Sequence, residues 1–451
     1  MAMRHDPVTI LGGGLAGCEA AWQLAEADFH VRLYEMRPAV MTPAHRTGLL
    51  AELVCSNSLK SERPASAPWL LKQELRRLGS LLIRAAEQAR IPGGQALVVD
   101  REQFSRLVSA AIEEHPRIEM FRQEADRIPD EGVVIIATGP LTSGALAEEI
   151  AKRTGADRLF FYDSISPIVD AETINMEVVF RASRYGRSQS PDGDYLNCPL
   201  TREEYDRFVD ELLKAERHEP HIPDDIPFFE ACLPIEELAR RGRDTLRFGP
   251  MKPVGLIDPR TGRPPYAVVQ LRQEDLRASS YNLVGFQNYL RFSEQARVFR
   301  LIPGLENAEF LRYGQIHRNT YICAPALLAP TLQLRSEPRI FFAGQVCGVE
   351  GYIESVATGL ASARHAADLL RGHAPRPFPR QTALGSLCAY VSGAEAAGFQ
   401  PANITFDLLP PLEESVRHAL RHDKRERHAE VCRRALRSLE EYLEENVQVR
   451  R

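Results

Sequence analysis

From Val8 onward the chain sets out four features in a row. An apolar run at Val8, Ile10 and Leu11 is followed by a glycine turn, then by a stripe of Ala20, Leu24 and Ala25, then by a second apolar run at Val31, Leu33 and Tyr34. Helical spacing flanked by two short apolar runs predicts strand, helix, strand: a βαβ unit. Leu70, Leu71, Leu75 and Leu78 predict a further helix, and "EGVVIIATGP" predicts a buried strand ending at Ala137-Thr138-Gly139. From about Asp170 to Asn319 the texture changes to more prolines, more loops and a basic, hairpin-like "DPRTGRPPYAVVQLRQED", which reads as an insertion. Strand, glycine turn and helix then resume in "RIFFAGQVCGVEGYIESVATGLASARHAADLL", so one sheet is built from two separated parts of the chain. A Pro/Arg linker, "HAPRPFPRQ", leads to a last, heavily charged helix.

Composition narrows the class. At 451 residues and 44% hydrophobic, the chain can bury more than one core. No apolar run approaches the ~18 residues of a membrane span, and the N-terminus runs straight into a strand, so a cytoplasmic protein is expected. The net charge of −5 argues against a chain that coats nucleic acid, and leaves local basic patches as the route to any RNA contact. Eight scattered cysteines, with no C-x-x-C and no Cys/His cluster, argue against a zinc site, a disulfide scaffold and a redox-active cysteine pair. No metal is expected.

The glycine turn carries chemistry. Gly12-Gly13-Gly14-Leu15-Ala16-Gly17 satisfies G-x-G-x-x-G between a predicted strand and helix. Gly12 permits the tight turn, Gly14 lets the backbone approach a pyrophosphate, and Gly17 lets helix and strand pack closely. Glu35, at the tip of the second strand, is placed to accept a hydrogen bond from a ribose hydroxyl. Two later turns favour FAD over NAD: the one ending at Gly139, and Ala343-Gly344-Gln345, where Gln345 replaces the acidic residue of the general pattern. The expected fold is α/β: a discontinuous, glutathione-reductase-like FAD-binding Rossmann domain, residues 1–170 and 319–451, with an inserted α+β domain at 171–318. No second G-x-G-x-x-G exists, so NAD(P)H is expected to dock transiently against the flavin.

Two cysteines stand in suggestive surroundings. Cys55, in "LVCSNS", lies between an apolar run and Ser56, Asn57 and Ser58, and reads as a nucleophile, a proton shuttle or an inert small residue. Cys232 precedes a Pro-Ile-Glu-Glu segment consistent with a helix N-terminus, whose dipole favours a thiolate.

The blocks "GGGLAG", "ELVCSNS", "FYDSISPIV", "MKPVGLIDPRTGRPPYAVVQLRQED", "YNLVGFQNYL", "YGQIHRNTYI" and "FFAGQVCGVEGYIESVATG" together resemble the folate- and flavin-dependent tRNA uracil-5-methyltransferases of the TrmFO type, relatives of the GidA/MnmG flavoproteins. The resemblance runs from Gly12 to about Gly359. It implies methylation of C5 of the T-loop uridine of tRNA, with methylenetetrahydrofolate supplying the carbon and NAD(P)H the reducing equivalents through FAD. A thiolate adding to uracil C6 makes C5 nucleophilic, so a cysteine is required. The resemblance assigns catalysis to both cysteines: Cys232 as the C6 nucleophile and Cys55 as the base or flavin-protecting group, with the roles open to exchange. It also implies that His317 stacks on the folate pterin.

For the tRNA, Arg260 and Arg263 of the "RTGRPPY" loop are the leading phosphate contacts, with Arg272 and Arg277 on the same rim. On the last helix Arg417, Arg421, Lys424, Arg425, Arg427, Arg433, Arg434 and Arg437 outnumber the acids, a pattern that usually marks a solvated face. Two other readings stand beside this one: a generic FAD oxidoreductase on a small molecule, and a non-catalytic RNA-binding protein that keeps FAD structurally.

Overall fold

The computed structural model describes residues 7–155, 159–218 and 233–449, with the backbone alone at 159–163, 317–318 and 446–449. The central sheet has six strands in the order Gln333–Leu334, Glu337–Phe342, Val134–Ile136, Val8–Leu11, Val31–Tyr34, Ile118–Phe121. The first pair is antiparallel and the rest are parallel. Val8–Leu11 is buried at every position, as a strand covered on both faces must be. The strand that follows the insertion returns to pair Ile340 with Val134 and Phe342 with Ile136, so the early and late parts of the chain close one sheet. One core accordingly joins Val8, Ile10, Leu24 and Ile135 with Phe341, Val356, Leu360 and Leu387.

The intervening chain forms a second sheet, antiparallel throughout, in the order Phe180–Ala182, Tyr195–Leu200, Ala267–Gln273, Ser280–Leu283, Ile168–Asp170, Phe310–Arg312. The helix Arg202–Lys214 starts at a capping box between Thr201 and Glu204 and buries Tyr205, Phe208, Val209 and Leu212 in the second core, with Leu196, Val269 and Leu271 of the sheet. The basic hairpin-like segment is a tight turn bridged between Asp258 and Arg263, leading into the fully buried strand Ala267–Gln273. Two antiparallel strands, Leu159–Ser164 and Ile316–Tyr321, run between the two sheets in sequence.

The charged face of the last helix, Lys424–Val449, is solvated as expected, with Lys424, Arg425, Arg433 and Arg437 exposed, but its apolar face is packed. Val431, Cys432, Ala435, Leu439 and Tyr442 are buried in the first core. Arg433 is held by Glu426 and Glu430, and Arg434 donates to the carbonyls of Pro410 and Pro411. Arg417 lies on the separate short helix Glu414–Ala419, and Arg421 lies between the two. No described helix is long and apolar enough to cross a membrane.

Candidate functional site

The glycine turn builds one wall of a cleft of about 1320 Å³, its open mouth included, lined by Gly12, Gly14, Leu15, Ala16, Glu35, Cys55, Gly139, Gly344, Gln345 and Tyr352, among others. The three motif glycines are required for three different reasons. Gly12 has φ +107°, and a Cβ there would stand 2.5 Å from the Ala137 carbonyl oxygen. A Cβ on Gly17 would stand 1.8 Å from the Gly12 carbonyl oxygen, so this glycine seals helix against turn. At Gly14 nothing lies within 4 Å of a Cβ, and the backbone faces the cleft directly. Gly14 is also the N-cap of helix Leu15–Glu26, with no side-chain cap and no acid in the first turn. An uncapped helix N-terminus at an open backbone is a cradle for a phosphate anion, so these residues fit a dinucleotide's pyrophosphate.

A second helix, Tyr352–Leu370, brings its own N-terminus to the cleft. It crosses the first so closely that a Cβ on Gly359 would lie 2.3 Å from the Ala16 carbonyl oxygen. Gln345, in the position where an acid was expected, donates its amide to Glu350, which also lines the cleft. A carboxylate is therefore present, five residues later in the chain.

Glu35 is buried and already bound. Its Oε2 accepts from the Gly13 N–H at 3.0 Å, and its Oε1 from the Arg37 backbone N–H at 3.0 Å and Nε at 2.9 Å. Burial acts to raise its pKa, but the Arg37 hydrogen bond and charge outweigh burial and hold the carboxyl below its ordinary value. A carboxylate offers about four lone-pair sites, so Glu35 keeps room for a ribose hydroxyl. Gly13 thus acts on Glu35, and Gly17 on packing, without lining the cleft themselves. Burial, reinforced by Arg37, pushes His45 down to about 4, so it faces the cleft as a neutral imidazole, its Nδ1 2.6 Å from Thr42 Oγ1.

Cys55 is half-buried at the cleft's edge, with its thiol 4.0 Å from the Ser164 carbonyl oxygen. Its loop is fixed by two side chains from distant parts of the chain. Tyr352 Oη accepts the N–H groups of Cys55 at 2.8 Å and Ser56 at 3.1 Å. Arg101 donates to the Leu53 carbonyl, to the Cys55 carbonyl at 3.1 Å, and to both oxygens of Glu274. Burial pushes the Tyr352 phenol well above its ordinary value, which keeps it protonated. Cys18, Cys198, Cys347 and Cys388 are wholly buried, and burial pushes each thiol up, Cys347 to about 12.

The comparisons place this geometry among known proteins. Residues 7–374 match the family model "Glucose inhibited division protein A". The chain is 66% identical to the methylenetetrahydrofolate--tRNA-(uracil-5-)-methyltransferase TrmFO of Solibacter usitatus, over 97% of this chain and 98% of that protein. It is 58% identical to the protein of the same name from Koribacter versatilis, with the same coverage. The chain belongs to this family. Among solved structures it is similar to Aquifex aeolicus GidA, with a TM-score of 0.66 at 16% identity, covering 97% of this chain and 75% of that one. That likeness concerns the fold alone and agrees with the Rossmann-type α/β sheet described above.

Other expected residues divide. Cys232 lies outside the described residues. Of His317 the backbone alone is described, paired with Asp163 on a strand whose Asn319 lines the cleft. Asn57, beside Cys55, is wholly buried and donates to the carbonyls of Val99 at 3.0 Å and Gln273 at 2.9 Å, so it joins two sheets. Arg272, expected on an exposed rim, is 9% exposed and bonded to Asn282. Arg260 is folded onto Asp258 through two hydrogen bonds, at 3.1 and 2.8 Å, while Arg263 is exposed. Among the described residues no group of three His, Cys, Asp or Glu side chains could hold a metal ion. Arg37, Arg101, His45 and Tyr352 were missed. Only Tyr352 carried a local signal, as the first helical residue after "GVEG".

Proposed function

We propose that the chain methylates C5 of the T-loop uridine of tRNA in the cytoplasm, taking carbon from methylenetetrahydrofolate and reducing equivalents from NAD(P)H. The observation that carries this reading is a half-buried cysteine, Cys55, at the edge of a cleft whose uncapped glycine turn suits a dinucleotide. FAD bound in that cleft supplies the redox step. Gly12, Gly14, Leu15 and Ala16 offer backbone to its pyrophosphate, Glu35 accepts from its ribose, and Gly139, Gly344 and Gln345 line the remainder.

Uracil C5 is a weak nucleophile until a thiolate adds to C6, and the two cysteines divide that work. Cys232 attacks C6, and Cys55 removes the C5 proton or shields the flavin; His317 positions the folate. Arg101 holds the Cys55 carbonyl and Tyr352 its N–H, so the backbone that carries the thiol keeps one position relative to the cleft.

The test incubates the FAD-loaded protein with unmodified tRNA, methylenetetrahydrofolate and NADPH and assays 5-methyluridine by nucleoside analysis. Product in wild type and none in Cys232→Ala and Cys55→Ala supports the reading. No product from folded, FAD-loaded wild type overturns it, and NADPH oxidation indifferent to tRNA would favour a small-molecule oxidoreductase instead.

A further inference from the structure

Around the turn at Tyr185 and the segment from Phe248 to Ile257, large apolar side chains face solvent. Phe248 is 82% exposed, Tyr185 64%, Val254 56% and Ile257 54%. Single exposed apolar residues need no explanation, but contacts bring the Tyr185 turn to Val254 and Gly255, and Phe248 and Ile257 flank that pair on the same segment of chain. The Tyr185 N–H donates to the Gly255 carbonyl at 2.8 Å, and its ring lies on Gly255 so closely that a Cβ there would be 3.1 Å from three ring atoms. Arg184 Nη1 donates to the Val254 carbonyl at 2.8 Å. Tyr185 itself has φ 57° and ψ 27°, a left-handed conformation that is uncommon and strained for a bulky residue. The backbone is thus held in a costly turn that leaves an aromatic ring on the surface.

The charges beside these rings are positive. Arg184 is bonded to neutral acceptors, Gln270 Oε1 and the Val254 carbonyl. The Arg187 guanidinium carbon lies 5.5 Å from the Tyr185 ring centroid, and Lys252 is exposed between Phe248 and Val254. Asp258 holds Arg260 and Asp244 holds Arg247, while Asp192 is exposed on the loop that follows Arg187. Gln270, to which Arg184 is tied, stands four residues before Glu274, which places it about 14 Å along the chain at strand spacing from the pair that holds the Cys55 loop.

Exposed aromatics interleaved with unpaired cations are the means by which proteins hold unpaired RNA bases: the ring takes the base face and the cations take the backbone. We propose that this patch is a base-stacking platform for the single-stranded loop of the tRNA substrate, with Tyr185 and Phe248 under unpaired bases and Arg187 and Lys252 on flanking phosphates. The proposal rests on the tRNA reading above.

The experiment measures the Kd of the FAD-loaded protein for an unmodified tRNA transcript at several salt concentrations, in wild type, Tyr185→Ala, Tyr185→Phe, Phe248→Ala and Arg187→Gln. FAD content and tRNA-independent NADPH oxidation report the integrity of each variant. Each aromatic-to-alanine change is expected to weaken binding about tenfold, with Tyr185→Phe near wild type. Arg187→Gln is expected to reduce the slope of log K against log salt by about one. Phe248, being so exposed, can be removed without disturbing the fold. A Kd within twofold of wild type for both alanine variants overturns the platform, as does a change in self-association at unchanged Kd, which would assign the patch to a second copy of the chain. Methylation with unaffected variants sinks the platform alone; impaired binding without any methylation sinks the functional reading alone; a wild type that binds no tRNA sinks both.

Discussion

Replacing Arg101 with methionine isolates the contact that ties the Cys55 loop to the inserted sheet. The Arg101 side chain is 16% exposed and that of its partner Glu274 5%. Burial disfavours the charge on Arg101, yet the charge and hydrogen bonds of Glu274 outweigh it and hold the guanidinium protonated. Arg101→Met leaves a carboxylate buried without its counter-charge and two loop carbonyls, of Leu53 and Cys55, without this donor. Breaking one side of a buried pair costs about 3–5 kcal/mol. Removing both charges, in Arg101→Met with Glu274→Met, removes the orphaned carboxylate, and the double variant is expected to recover about 2 kcal/mol or more relative to additivity. The assay is a double-mutant cycle by urea denaturation, read at the transition that reports the loss of the first core, with the rate of Cys55 alkylation measured in parallel. Arg101→Met is expected to lower the midpoint and to speed alkylation, and the double variant to regain part of the midpoint but not the slow alkylation, since the Cys55 carbonyl stays without its donor. Additive effects within about 0.5 kcal/mol, or an unchanged alkylation rate in Arg101→Met, would refute the reasoning.

Gly17→Ala and Gly14→Ala separate packing from binding. The first places a methyl carbon 1.8 Å from the Gly12 carbonyl oxygen and is expected to abolish both FAD loading and the cooperative thermal transition; the second meets nothing within 4 Å and is expected to keep the apoprotein's Tm while weakening FAD about ten- to hundredfold, measured by flavin fluorescence titration. Tyr352→Phe strips two loop N–H groups of their acceptor, at about 1–3 kcal/mol for each group left buried, and is expected to lower Tm and expose Cys55 to alkylation. Glu74 is wholly buried on the N–H groups of Ala383 at 2.7 Å and Leu384 at 2.8 Å, and burial raises its pKa to about 8. Because the folded pKa lies above the unfolded one, its pH-dependent stabilisation is full below about pH 4.5 and is lost as pH rises towards 8. The stability difference between wild type and Glu74→Ala should therefore shrink from pH 5 to pH 8 in paired denaturant titrations, and a constant difference would count against it.

What the sequence disclosed was local. The spacing of Val8–Leu11, the glycine turn and Ala20–Ala25 is a pattern within one stretch of chain, and the recurrence of the same pattern near Phe342 was enough to place both in one sheet. What it hid was tertiary. Arg101 gives no sign that its partners lie 46 and 173 residues away, and the arginines of the last helix look alike until Glu426, Glu430 and two proline carbonyls sort them. Ser56-Asn57-Ser58 has the composition of a ligand-binding loop; burial is what assigns Asn57 to the scaffold, and burial is a property of the folded chain.

Asn57 and Arg101 also explain why the inserted sheet cannot slide against the cofactor cleft. Asn57 grips the carbonyls of Val99 in the small sheet Ser58–Ser61, Ala96–Val99, Arg90–Ile91 and of Gln273 at the end of an inserted strand, while Arg101 grips Glu274 one residue further on. A slip of one residue along that strand would turn each side chain to the opposite face and separate Glu274 from Arg101. The register of the inserted sheet and the position of the Cys55 loop are therefore one constraint. A substitution that loosens the strand Ala267–Gln273 should disturb the reactivity of a cysteine more than two hundred residues earlier in the chain.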